Sequence, residues 1–116
     1  MVYKLNINDR AALAIKNKTK RVEIRANKKG KINYSEIVSN DIIEFTSNNL
    51  GAFYAEVKEV NYYKTLEELF TLEGTKYTTS STDDYNEAIK NVYKLDEYEE
   101  AIKSFGVYAI HIEYLY

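Results

Sequence analysis

The sequence predicts an α+β fold, a small, strongly bent sheet or barrel of about five strands with helices on its flank. Five segments carry that expectation: residues 2–7, 20–25, 41–46, 52–63 and 106–114 alternate in polarity or are rich in β-formers. Helical stretches with their own start signals lie between them. The 116 residues contain no proline, no internal repeat and no low-complexity linker, so one domain spans residues 1–116.

Each element has a local reason. Residues 2–7 alternate as a first strand. Asn8 or Asp9 can accept from free N–H groups and cap a helix over 10–17, with Ala11, Leu13, Ala14 and Ile15 facing inward. Residues 20–25 read as a strand with Val22 and Ile24 on one face and Arg21, Glu23 and Arg25 on the other. A polar connection turns at Gly30, and residues 33–38 offer one helical turn before the strand at 41–46. SNNLG, residues 47–51, has hairpin composition and leads into a long strand whose Phe53, Ala55, Val57 and Glu59 share a face. Thr65 with Glu68 opens a helix that Gly74 stops, and Asp84 with Glu87 opens helical sequence to about residue 104, interrupted near Leu95. Between those helices, TKYTTSST at 75–82 is a hydroxyl-rich loop. In the closing strand, Val107 and Ala109 alternate against Tyr108, Ile110 and Ile112.

Composition narrows the function. No window approaches the ~20 apolar residues that span a bilayer. The start, MVYKLNINDR, lacks the apolar run of a signal peptide, which predicts a cytoplasmic protein with no membrane partner. Cysteine is absent and histidine occurs once, which excludes disulfides, thiolate catalysis and Cys-type zinc sites; no metal and no cofactor is expected. The net charge of −2 conceals a polarity along the chain. Residues 1–33 hold ten Lys and Arg against two acids, a balance of +8; residues 34–116 hold six Lys against sixteen acids, a balance of −10. Either the basic part meets a polyanion, or the two parts neutralise each other on folding.

The cations concentrate in KTKRVEIRANKK, residues 18–29, around one acid, Glu23. Same-face neighbours on a strand lie about 7 Å apart, within reach of a forked Arg–carboxylate pair. Lys20 joins Glu23 only if it lies in the turn before the strand begins. Guanidinium and ammonium groups suit phosphate oxygens, and a carboxylate suits the exocyclic amine of a base. The alternative is an ion-pair network worth about 0–1 kcal/mol per exposed pair. Lys16, Lys18, Lys28, Lys29 and Lys31 flank the motif, as a phosphate-binding surface or a solvated one. Tyr54, Tyr62, Tyr63 and Tyr77 are candidate stacking faces, Tyr77 foremost because it shares its loop with Thr78, Thr79, Ser80 and Ser81. His111 has no partner in sequence to orient it and reads as a surface or barrel-lining residue. Asp83, Asp84, Glu87, Asp96, Glu97, Glu99 and Glu100 form a solvated acidic face that would repel nucleic acid.

Lys20-x-x-Glu23-x-Arg25 resembles the K-x-x-E-x-R motif of the ASCH (activating signal cointegrator homology) domain family. SNDIIEFT resembles that family's G-D-x-I-x-F strand, AEVKEVNYYKTLEEL its long strand and helix, and SFGVYAIHIEYL its closing strand, in order over residues 3–115. The resemblance implies a PUA-like pseudo-barrel with a cleft beside the motif strand, and an RNA-binding role. One bacterial branch of the family hydrolyses acetylated cytidine, and another member type is a ribonuclease. Two departures stand out. Lys18 replaces the glycine expected two residues before the motif lysine, and Glu23 stands where the amidohydrolase branch carries its threonine nucleophile.

Three functions follow. The first is a module binding single-stranded RNA, a nucleotide or a nucleoside through Lys20, Arg21, Glu23, Arg25, Lys28, Tyr77, Thr78 and Ser80. The second is a small hydrolase, a ribonuclease or an amidohydrolase on a modified nucleoside, with Lys20 and Glu23 as the acid–base pair and a hydroxyl of Thr78 or Ser80 assisting. The third is a protein-binding adaptor that inherits only the fold.

Overall fold

A computed structural model of the chain describes residues 1–95 and 97–116. Its elements run β1 (Val2–Asn6), α1 (Asp9–Lys16), β2 (Val22–Arg25), a 3₁₀ turn (Tyr34–Glu36), β3 (Ile42–Ser47), β4 (Gly51–Tyr63), α2 (Leu66–Glu73), α3 (Tyr85–Tyr93), α4 (Tyr98–Phe105) and β5 (Val107–Tyr114). The five strands form one mixed sheet in the order β1-β3-β4-β5-β2, with β1 and β3 parallel and the other pairs antiparallel. The sheet is not closed by backbone pairing: β1 and β2 are its two edges. This is the α+β fold with one five-stranded sheet that the sequence predicts, left open rather than closed into a barrel. No helix among the described residues is long and apolar enough to cross a membrane.

The helix starts are where the capping residues put them. Asn8, Thr65 and Asp84 each accept a backbone N–H from three residues on, satisfying a donor the helix cannot. The helical sequence after Asp84 breaks at Leu95 into α3 and α4. Glu97 enters α4 with φ 65 and no side-chain cap, while Gly106, with φ 77, turns α4 into β5. On α1 the inward residues are Ala11, Ala12 and Ile15; Leu13 is half exposed and Ala14 only partly buried, because the core stripe at i, i+1 and i+4 runs through Ala12 instead.

Two cores lie on opposite faces of the sheet. Leu66, Leu69 and Phe70 of α2, Ala88 and Val92 of α3, and Ala101 and Ile102 of α4 pack with Val22, Ile24, Val107 and Ala109. On the other face, Ala12 and Ile15 of α1 pack with Leu5, Ile43, Phe45, Phe53, Ala55, Val57, Ile110 and Ile112. Strand β5 therefore serves both, which is why its two alternating faces are both apolar. Each fully buried Val, Leu, Ile or Phe among them contributes roughly 1.5–3 kcal/mol.

A β-bulge in β4 corrects one expectation. Val57 pairs with Ile112 but Glu59 pairs with His111, so Lys58 is an extra residue and the pleat changes phase. Phe53, Ala55 and Val57 face the core under α1. Beyond the bulge, Glu59, Asn61 and Tyr63 face the α2 side, where Glu59 is exposed. Alternation alone carries no sign of that inserted residue.

Candidate functional site

Strand β2 begins at Val22, so Lys20 lies in the turn after α1, the placement under which it meets Glu23. Lys18 closes that turn at φ 64, a left-handed conformation that glycine adopts freely and lysine does not. The amides of Thr19 and Lys20 donate to the Ala14 carbonyl and finish the helix. The loop after α2 is fastened to the same stretch: the amides of Arg21 and Val22 both donate to the Tyr77 carbonyl, at 2.8 and 3.0 Å.

Lys20, Glu23 and Arg25 form one sheltered cluster. Lys20 Nζ lies 3.3 Å from Glu23 Oε1, and Arg25 sets Nε and Nη2 at 2.8 and 2.7 Å from Glu23 Oε2. Nζ also donates to the carbonyls of Val22 (2.7 Å) and Thr78 (2.9 Å). Three acceptors around one nitrogen call for the three protons of the ammonium form. Burial pushes Lys20 below the usual lysine range, and Glu23 opposes the shift. At Glu23 burial pushes the carboxyl up, but Arg25 and Lys20 outweigh it and hold the group below the ordinary carboxylate range. Burial and Glu23 also compete at Arg25, where Glu23 prevails and the guanidinium stays charged. The cluster carries one positive charge in excess. Glu23 has about four acceptor positions, three of which are taken by these contacts.

Arg25 has a second task. Its Nη2 donates to the Asn6 carbonyl at 2.8 Å, so one side chain joins the ends of the two edge strands, β2 and β1. Both residues line a cleft of about 320 Å³. Lys20, Glu23, Arg25, Lys28, Thr78 and Ser80 line it, with Asn8, Asn91 and Tyr98 among the residues that sequence reasoning missed. Tyr98, at the start of α4, is pushed up to about 12 by burial and so keeps its phenol proton. Lys28 sits 4.9 Å from the centre of the Tyr98 ring and 3.9 Å from Glu97. Asn91 donates to Ser81 at 2.8 Å, tying α3 to the hydroxyl loop. Sequence offered only one signal for these residues, polar and aromatic positions where the helical stretch was expected to break.

Other expected site residues lie elsewhere. Arg21 is exposed and takes no part in the Glu23 cluster, because it precedes the strand and follows no pleat. Its Nε donates to the Lys18 carbonyl at 3.0 Å, and its guanidinium lies 4.2 Å from the Tyr77 ring centre. Tyr77 thus stacks on Arg21 outside the cleft. Thr78 is buried and its hydroxyl donates to the Gly74 carbonyl at 2.7 Å, so what it turns to Lys20 is its carbonyl. Tyr54 is bonded to Glu44, and Tyr62 lies 5.2 Å from Tyr108. The acidic residues on the α3–α4 side are exposed as expected, except that Asp96 lies outside the described residues.

A second polar cluster was not foreseen. On the opposite face of the sheet, His111 Nε2 is 2.8 Å from Glu73 Oε1, without the alignment of a hydrogen bond. Tyr63 Oη donates to Glu73 Oε2 at 2.6 Å and Asn61 at 2.9 Å. Burial pushes the Glu73 carboxyl up, but Tyr63, Asn61 and His111 together hold it below its usual range. The bulge in β4 creates this meeting by turning Asn61 and Tyr63 toward His111. Among the described residues, Asn61, Tyr63, Glu73 and His111 line neither the cleft beside Glu23 nor any of three other surface cavities.

Three solved structures are similar to the chain over nearly its whole length. The crystal structure of the hypothetical protein PH0355 is 28% identical with a TM-score of 0.83, covering 99% of this chain and 100% of that one. The solution structure of PF0455 from Pyrococcus furiosus is 25% identical with a TM-score of 0.76, covering 99% and 98%. An ASCH domain from Lactobacillus crispatus JV V101 is 14% identical with a TM-score of 0.59, covering 97% and 79%. No protein-family model matches the chain, and no curated protein matches it. Identity at that level speaks for architecture: the chain has an ASCH-like fold.

Proposed function

We propose that the protein is a nucleic-acid-reading module whose cleft binds one nucleotide unit of single-stranded RNA. The observation that carries this is the sheltered Lys20–Glu23–Arg25 cluster on the wall of a cleft of about 320 Å³. That volume is near the lower end of small-ligand sites, about 300–1,000 Å³, and suits a nucleoside-sized guest. The excess positive charge favours a phosphate or carbonyl oxygen at Arg25, and the spare acceptor position of Glu23 favours an exocyclic amine. Lys20, its protons committed, holds Glu23 in place. Ser80 adds a hydroxyl from the loop.

The hydrolase reading has less support. Among the described residues, the Thr78 hydroxyl is bonded to Gly74, and those of Thr79 and Ser81 are bonded to each other. None is paired with Lys20 or Glu23. Amide chemical-shift mapping with nucleoside monophosphates and a short single-stranded RNA of mixed sequence tests the proposal. Shifts should concentrate at Glu23, Ser80 and Tyr98 and disappear in Arg25→Ala, with the RNA intact on a gel afterwards. Shifts confined to the His111 face would overturn it, and RNA cleaved by wild type but not by Glu23→Gln would favour the hydrolase.

A further inference from the structure

The hydroxyl loop has a second side. Thr79, Ser80 and Ser81 line the cleft and also line a groove of about 630 Å³. The groove's cations are Lys18, Arg21 and Lys76, against one acid, Asp83. All three cations are exposed. Arg21 is nonetheless held still: Nε is bonded to the Lys18 carbonyl and the guanidinium lies on Tyr77, whose ring centre is also 5.2 Å from Lys76 Nζ. Among the described residues the terminal nitrogens of Arg21 have no hydrogen-bond partner. An arginine fixed this way offers a preset fork, the geometry that phosphate oxygens match. Lys18 adds a second observation. A lysine stands where the backbone favours glycine, at φ 64, and that lysine is one of the residues lining this same groove. Strain retained at one residue points to a use for that residue.

We infer that the groove takes the phosphodiester backbone of a single-stranded nucleic acid whose neighbouring nucleotide occupies the cleft. The inference rests on the nucleotide reading of the cleft and narrows it, since a free nucleoside would use the cleft alone and a strand uses both sides of the loop. Thr79, Ser80 and Ser81, shared by the two cavities, are the threshold the strand crosses. Arg21 and Lys18 grip the phosphate and Tyr77 supports Arg21.

Fluorescence anisotropy of a labelled mixed-sequence oligonucleotide, as RNA and as DNA, over a series of salt concentrations tests this, with unlabelled nucleoside monophosphates as competitors. Wild type should bind the strand more tightly than the mononucleotides. Lys18→Gly and Lys76→Ala should each weaken strand binding and reduce its logarithmic salt slope by about 0.7. The same variants should leave mononucleotide competition unchanged, and Lys18→Gly should unfold at a higher temperature than wild type, separating lost binding from lost folding. A slope change with RNA alone assigns the groove to RNA, and with both polymers to their shared backbone. Strand affinity and slope unchanged in both variants, while mononucleotides still compete, would overturn the groove and leave the cleft standing. No binding of any probe would overturn both.

Discussion

Glu23 and Glu73 are equally sheltered, with 8% of each side chain exposed, yet they lie on opposite faces of the sheet and do different things. Two cations grip Glu23 on the wall of an open cleft. A histidine, a tyrosine and an asparagine surround Glu73, tying the end of α2 to β4 and β5, and among the described residues these four line none of the four cavities. A buried, hydrogen-bonded carboxylate is therefore no mark of a site by itself. The difference lies in what is left over: an excess charge, a spare acceptor position and a cleft for a guest at Glu23, whereas Glu73 lines none of the four cavities.

The contrast is easiest to break through stability. Arg25→Ala should lower the unfolding free energy by about 3–5 kcal/mol, because it strands a buried carboxylate beside one remaining cation. It also removes the link between the edge strands. His111→Ala should cost about 1–2 kcal/mol, since Glu73 keeps Tyr63 and Asn61 and the imidazole is partly solvated. Urea unfolding of the two variants measures both numbers, and equal costs would erase the distinction.

Acid should act on both clusters with unequal force. Both carboxyls sit below their ordinary range in the folded protein, so the folded state binds their protons less readily than the unfolded chain. Their contribution is present above the usual carboxylate pKa of about 4.3 and is lost as pH falls below it. Thermal unfolding followed down that limb should flatten in Glu23→Gln and flatten less in Glu73→Gln, because permanent cations hold Glu23. The reverse order would place the stronger electrostatic lock on the α2 side. The smallest effect concerns the turn that delivers Lys20 to the cleft. Lys18→Gly should raise stability by about 0.5–1 kcal/mol, the left-handed strain relieved less the added freedom of the unfolded chain.

Much of this architecture is legible in the chain. Asn8, Thr65 and Asp84 announce their helices because a cap is a local interaction, and the break near Leu95 shows in the pattern. The motif strand could be read as holding Glu23 and Arg25 together because i and i+2 share a face. Arg21 escaped that logic because β2 starts one residue later, so no pleat governs it. The bulge at Lys58 was invisible, and with it the meeting of Asn61, Tyr63, Glu73 and His111, which requires an inserted residue and a helix end from elsewhere in the chain. Tyr98 and Asn91 were missed for a similar reason: only the docking of α3 and α4 across the edge of β2 brings them to the cleft.

The central claim is that Glu23, and not Glu73, whose side chain is as little exposed, serves a ligand. Binding of a labelled single-stranded RNA to wild type, Glu23→Gln and Glu73→Gln tests it most directly, with each protein first shown to be folded by its thermal transition. The account predicts at least a tenfold loss for Glu23→Gln, about 1.4 kcal/mol, and wild-type affinity for Glu73→Gln. Equal affinity in all three, or a loss in Glu73→Gln matching that in Glu23→Gln, would contradict it.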